Sequence, residues 1–221
     1  LTEQIAELRP NAAERERREG SPPVLLVLPG SRRSEIRRHM TAFGMTLTRL
    51  QSEGVAFEAV LPTMPHLEEA VTAALKYWKV QPRVVIGEEE KRAAFRIAHA
   101  ALAKSGTVTL ELALSGVPMV AAYHTGALEA FVVRRAIRLK TVILANIVLG
   151  ENVVPEFHQR DVRSERLAPP LRDVLGDTPL RRKQVEAFAR IDSIMSTGNQ
   201  PPSARAAEIV LGTMRKARAP H

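Results

Sequence analysis

Between residues 105 and 111 the chain reads Ser-Gly-Thr-Val-Thr-Leu-Glu, directly after an apolar run and at the start of a helical pattern. A small-residue turn, free backbone N–H groups and an acidic side chain thus fall within about two helical turns. Ser105 and Thr107 are candidate helix caps, and Gly106 lets a pyrophosphate approach the backbone. Glu111 can accept both hydroxyls of a ribose. The alternative is a carboxylate favoured by the helix macrodipole and turned to water. The first reading suits a ligand with phosphate at one end and neighbouring hydroxyls at the other, such as a nucleotide sugar.

A second loop of the same kind is Leu28-Pro29-Gly30-Ser31-Arg32-Arg33-Ser34-Glu35. Gly30 permits a tight turn, the helix beyond it offers N–H donors to an anion, and Arg32 or Arg33 adds a charge-assisted fork. A plain strand–turn–helix, with Ser31 as N-cap and two surface arginines, explains the same residues. The loop is neither a Walker A loop nor a G-x-G-x-x-G fingerprint. Asn146 follows a predicted strand at 142–144, where it either faces a binding crevice or makes a turn. Pro155 opens a predicted helix over 153–159, on which Glu156 and Gln159 share one face, toward a ligand or toward water. Tyr123-His124 closes a predicted strand at the same end of the fold. The six histidines show no metal-ligand spacing, so no metal and no cofactor are expected. No G-x-S-x-G nucleophile elbow occurs.

The elements that must position these residues alternate in type. Strands are predicted at 24–28, 55–61, 84–86, 99–103, 118–123 and 142–144. Helices are predicted from Ser31 to Gly54, over about 66–79 and 88–97, from the 105–111 motif to Gly116, and over 127–140. After Gly150 the pattern is helical, near 153–159, 164–175, 179–196 and 203–217. Strands separated by helices of this length imply a Rossmann-like, doubly wound parallel α/β sheet of about six strands. Such sheets bind ligands at the carboxyl ends of their strands, where Gly30-Ser31 and Ser105-Gly106 fall. We divide the chain into a linker at 1–22, a nucleotide-binding domain at 23–175 and C-terminal helices at 176–221.

With 221 residues, 45% apolar and 25% charged, the chain reads as one ordinary globular domain. It has no cysteine, which excludes a disulfide framework and thiolate metal sites and points to a reducing compartment. No apolar run reaches membrane-span length. The chain starts at Leu1 in a charged segment, as expected of a piece of a longer protein divided at a linker. A net charge of +8 favours phosphates, anionic lipid or nucleic acid. Aromatic residues at 4% are too sparse and scattered for a base-stacking surface, so nucleic acid is not an expected partner. In 127–140, Phe131, Val132, Val133 and Ile137 lie beside Arg134, Arg135, Arg138 and Lys140. That pattern fits a helix at an anionic membrane surface, or a core-facing helix with a basic solvent side.

Taken in order, several segments resemble the lipid-A-disaccharide synthase family of bacterial glycosyltransferases of the B fold. They are Leu28–Arg32, Ala103–Thr107 through Glu111, Gly116–Val120, Tyr123, Ala145–Ile147 with Gly150, and Val154–Glu156 with Gln159. The resemblance implies the C-terminal, UDP-binding half of a two-domain enzyme, whose catalytic acid or base lies on the N-terminal domain. It implies transfer of 2,3-diacylglucosamine from its UDP donor to 2,3-diacylglucosamine 1-phosphate, without a metal, in the cytoplasm on the inner face of the inner membrane. By position, Arg32 would stabilise the leaving pyrophosphate. Gly30, Ser31, Ser105, Gly106 and Thr107 would cradle it, Glu111 would hold the ribose, and Tyr123, Asn146, Glu156 and Gln159 would line the donor side. Lys104 departs from the pattern, standing where a small residue is expected, and Arg33-Ser34 and Tyr123-His124-Thr125 match loosely. The chain alone would then be inactive, and cleft surface left exposed could favour a homodimer. A sugar-nucleotide epimerase domain and a basic nucleic-acid-binding module are the alternative functions.

Overall fold

A computed structural model of the chain describes residues 7–124 and 141–195. Strands β1 (Val24–Leu28), β2 (Glu58–Thr63), β3 (Arg83–Ile86), β4 (Ala100–Lys104), β5 (Met119–Tyr123) and β6 (Glu156–His158) form one sheet. Its order is β3-β2-β1-β4-β5-β6, and every neighbouring pair is parallel. The described helices are α1 (Ala12–Glu19), α2 (Arg33–Ser52), α3 (Glu68–Leu75), α4 (Glu88–Ile97), α5 (Val108–Leu114), α6 (Leu144–Leu149), α7 (Ser164–Leu175), α8 (Pro179–Ala189) and α9 (Ile191–Met195).

The unbroken apolar run of β1 follows from burial on both faces. Val24, Leu26 and Leu28 join Phe95, Leu112 and Met119 in one core, while Leu25 and Val27 join Phe43, Leu47 and Leu102 in the other. Successive strand side chains point to opposite faces, so a central parallel strand needs apolar residues at every position. Helices α4, α5 and α8 cover the first face, and α2, α3 and α7 the second. The stripe Ile36, Met40, Phe43, Leu47 and Leu50, read from sequence as helical, is the buried side of α2. The doubly wound α/β expectation is met.

The sixth strand is a correction. Residues 142–144 are not a strand, because Leu144 already starts α6, whose N-cap Ile143 and inner residue Ala145 are fully buried. Gly150, at φ 72°, closes that helix in the left-handed conformation. The strand lies instead at Glu156–His158, inside the segment predicted as helix, and pairs with β5. Pro155 does not open a helix here. Its carbonyl accepts from Ala121 N–H at 3.0 Å, and a proline without an N–H is tolerated at the edge of a sheet. The helix predicted over 179–196 is two helices, α8 and α9, divided at Arg190.

Within residues 1–22, Asn11 and Glu14 form a capping box that starts α1. This helix buries no side chain and is anchored instead by Arg18, whose guanidinium donates to the carbonyls of Phe95, Arg96 and Ser115. The segments 127–140 and 203–217, predicted as helices, lie outside the described residues. No helix among the described residues is long and apolar enough to cross a membrane.

Candidate functional site

Strand order reverses between β1 and β4, so the chain leaves these neighbours toward opposite faces and a crevice opens beyond their carboxyl ends. A cavity of about 410 Å³ occupies this place. The loop after β1 supplies Gly30, Ser31 and Arg32, and the loop after β4 supplies Lys104, Gly106 and Thr107. Glu111 and Lys91 close one side, and Pro62, Met64 and Leu67 form an apolar wall. The structure therefore gathers six of the sequence-predicted residues: Gly30, Ser31, Arg32, Gly106, Thr107 and Glu111.

In the first loop Gly30 has φ 130°, and a Cβ added there would lie 2.5 Å from the side chain of Glu35. Only glycine fits both constraints. Ser31 is not the N-cap of α2. That place belongs to Arg32, which makes no side-chain cap. Instead the Ser31 N–H donates to Glu35 Oε2 at 2.9 Å, so a carboxylate from the first turn of α2 folds back onto the loop. Glu35 also meets Lys104 Nζ at 2.9 Å and Arg32 at 3.8 Å. Burial alone raises its carboxyl pKa, but the hydrogen bonds from Lys104 and Ser31 and the two nearby cations outweigh that and hold it below the ordinary value. The Arg32 side chain is 80% exposed and stands over the cavity mouth.

The second loop differs from expectation in its caps. Thr107 is the N-cap of α5 without a side-chain hydrogen bond, while the Thr109 hydroxyl donates to Gly106 O at 2.8 Å. Ser105 is buried, its N–H donating to Ala122 O and its hydroxyl to Val142 O. It shapes the loop from behind and does not line the cavity. The N–H groups of Gly106, Thr107 and Val108 have no protein acceptor among the described residues, and all three residues line the cavity. Glu111 is not turned to water. It pairs with Lys91 Nζ at 2.8 Å, and Lys91 is held in turn by Glu88 at 3.4 Å and by the Phe95 ring.

Four predicted residues sit elsewhere. Asn146 is buried in α6, where its Oδ1 accepts from the N–H groups of Val153 and Val154 and its Nδ2 donates to Val154 O and Thr141 Oγ1. It ties α6 to the segment leading into β6 and does not face the crevice. Glu156 and Gln159 share no helix face, since one lies in β6 and the other in a turn at φ 49°. Glu156 accepts from Val142 N–H at 3.2 Å and pairs with His158 at 3.4 Å. Burial raises its carboxyl pKa, yet its hydrogen bonds with His158, Val142 and Thr141 leave it lowered overall. Tyr123 stands between Lys104 and His158, its ring 5.9 Å from Lys104 Nζ. Tyr123 thus adjoins the cavity through Lys104. No group of His, Asp or Glu among the described residues is placed to hold a metal.

Two residues of the site carried no usable local signal. Glu35 is one turn into a helix, and its return to Ser31 depends on the unusual φ of Gly30. Lys91 reaches Glu111 from another helix, a contact only the fold creates. His39, one turn beyond Glu35, lies behind the loop and is fully buried. Its Nδ1 lies 2.9 Å from Glu35 O and its Nε2 accepts from His124 N–H at 3.2 Å.

The model of the lipid-A-disaccharide synthetase family matches residues 1–210. The chain belongs to this family. It is 67% identical over 218 residues to a lipid-A-disaccharide synthase of Bradyrhizobium diazoefficiens, covering 99% of this chain and 56% of that protein. The synthase of Gluconobacter oxydans is 35% identical over 189 residues, covering 85% of this chain and 46% of its own. The chain thus spans about half the length of the family members it matches. The fold is also that of part of solved glycosyltransferases. WaaG, a glycosyltransferase involved in lipopolysaccharide biosynthesis, superposes with a TM-score of 0.53 at 18% identity, over 91% of this chain and 51% of that one. The calicheamicin glycosyltransferase CalG4 gives 0.52 at 18% identity, over 89% and 43%.

Proposed function

We propose that this chain is the donor-binding half of a lipid-A-disaccharide synthase, with the cavity at the β1–β4 reversal taking the UDP of a UDP-2,3-diacylglucosamine donor. The observation that carries the reading is the convergence, in one crevice, of unpaired loop N–H groups, Arg32 and an oriented carboxylate, Glu111. Phosphate suits the first two, and vicinal ribose hydroxyls suit the third. Lys91 fixes the direction of Glu111 before any ligand arrives, which limits the entropy lost on binding.

In the reaction, a hydroxyl of 2,3-diacylglucosamine 1-phosphate attacks the anomeric carbon of the donor, and the bond from that carbon to the diphosphate oxygen breaks. UDP leaves with the bonding pair, and the acceptor's proton passes to a base outside this chain. The residues here hold the donor and stabilise charge growing on the leaving diphosphate, an effect largest where donors are already in place. Arg32, exposed at the mouth, is suited to follow that charge. The family and the +8 charge support work at an anionic membrane surface in the cytoplasm.

In the complete protein, Glu111→Ala should weaken UDP binding by about tenfold to a hundredfold, the cost of losing charge-assisted hydrogen bonds. Disaccharide formation at subsaturating donor should fall in step, while the thermal midpoint stays near that of the parent. This chain by itself should bind UDP without turnover. Unchanged UDP affinity in the variant, or turnover by this chain alone, would refute the assignment.

A further inference from the structure

We propose that Lys104 binds the donor's diphosphate directly, as a second cation beside Arg32 that rests on Glu35 while the site is empty. The proposal rests on the reading of the cavity as a nucleoside diphosphate site and adds a residue to it. Lys104 is the last residue of β4, so its side chain emerges at the strand's carboxyl end, at the point of reversal. Its ammonium lies between the two phosphate-facing loops. It is 2.9 Å from Glu35, which is itself bonded to Ser31 in the first loop, and 3.6 Å from where a Cβ of Gly106 in the second loop would be.

Charge balance in the cavity singles this residue out. Three cations and three carboxylates line it: Arg32, Lys91 and Lys104 against Glu35, Glu88 and Glu111. Lys91 is committed to both Glu88 and Glu111. Arg32 and Lys104 share one carboxylate, Glu35, so that end of the cavity carries one uncompensated positive charge. A diphosphate placed there meets an ammonium already desolvated on most of its surface, with 19% of the side chain exposed. It need only exchange or share the carboxylate partner. The Tyr123 ring on the far side limits retreat of the ammonium from the cavity. The first-loop N–H that a phosphate would otherwise use, that of Ser31, is occupied by Glu35, which shifts the anion toward Lys104 and the second loop.

The test uses the complete protein with UDP, read by calorimetry, and uridine, read by saturation-transfer NMR. Lys104→Met should weaken UDP by about tenfold to a hundredfold and leave uridine within about twofold, since one charge-assisted contact to phosphate is lost and none to the nucleoside. Lys104→Gln keeps a hydrogen-bond donor for Glu35 and should show the same selective loss with an unshifted thermal midpoint. Equal weakening of both ligands, or UDP affinity unchanged in both variants, overturns the role of Lys104 and leaves the cavity reading standing. A parent protein that binds no UDP overturns the cavity reading and this proposal with it.

Discussion

Replacing Asn146 by Ala should cost about 3–5 kcal/mol of stability and lower the thermal midpoint by roughly 10 °C, without a selective effect on donor binding. The side chain is 1% exposed and makes four hydrogen bonds, two accepted from the adjacent N–H groups of Val153 and Val154. Alanine leaves the Val154 N–H and the Val154 carbonyl without partners in a site closed to water, while the Val153 N–H keeps only its bond to Glu151 O at 3.1 Å. A buried unsatisfied polar group costs about 1–3 kcal/mol, and here two arise together. The segment they fix runs directly into β6, so the edge of the sheet is loosened as well. Asn146 falls in a stretch that also suggested a donor contact. Thermal melts and UDP titrations of the variant separate the two roles. A retained melting temperature with weakened UDP binding would make Asn146 a ligand contact after all.

Acidification should expose the cost of the buried imidazole behind the first loop. Burial, followed by the charges of His124 and Lys104, lowers the His39 pKa from 6.5 to about 4, against partial support from its hydrogen bond to Glu35 O and the Glu35 charge. The two contacts of the ring call for one neutral tautomer, with the Nδ1 proton donated to Glu35 O and Nε2 accepting from His124. Below pH 6.5 the unfolded chain takes a proton at this residue and the folded chain does not until near pH 4. The unfolded state therefore binds more protons in that window, and stability falls as pH falls. The full effect is roughly 3 kcal/mol, of which about 2 kcal/mol is lost between pH 7.5 and pH 5. His99, lowered by burial and by Arg181, acts in the same direction but persists in the comparison. Denaturant midpoints at those two pH values, for the parent and for His39→Gln, isolate the share of His39. Parallel pH dependence in the two proteins would remove it from the account.

What the sequence disclosed divides along a physical line. Local patterns were readable where one interaction dominates: the doubly buried run of β1, the 36–40–43–47–50 stripe of α2 and the strongly periodic α4 and α7. The two loops that line the cavity were readable because small residues, turn and helix start are all local. The misplacements fall between residues 142 and 159, where apolar runs are short. Val142-Ile143-Leu144 has the composition of a strand, but Ile143 is the N-cap of α6 and Leu144 its first residue. Glu156-Phe157-His158 is an edge strand whose pairing with β5 is decided by tertiary contact. The charge pairs were beyond reach for a related reason. Lys91–Glu111 and Lys104–Glu35 join residues from different elements, so only the sheet order brings them together. Lys104 was visible as a departure from the family pattern, and its contact with Glu35 sets it in the cavity lining.

The crevice at the β1–β4 reversal is proposed to hold a nucleoside diphosphate. Calorimetry of the complete protein with UDP, set against a short oligonucleotide, tests it most directly. The expected result is saturable one-to-one binding of UDP, weakened by Glu111→Ala and by Arg32→Ala, with only weak, salt-sensitive heat from the oligonucleotide. Tight oligonucleotide binding with no response to UDP would contradict it.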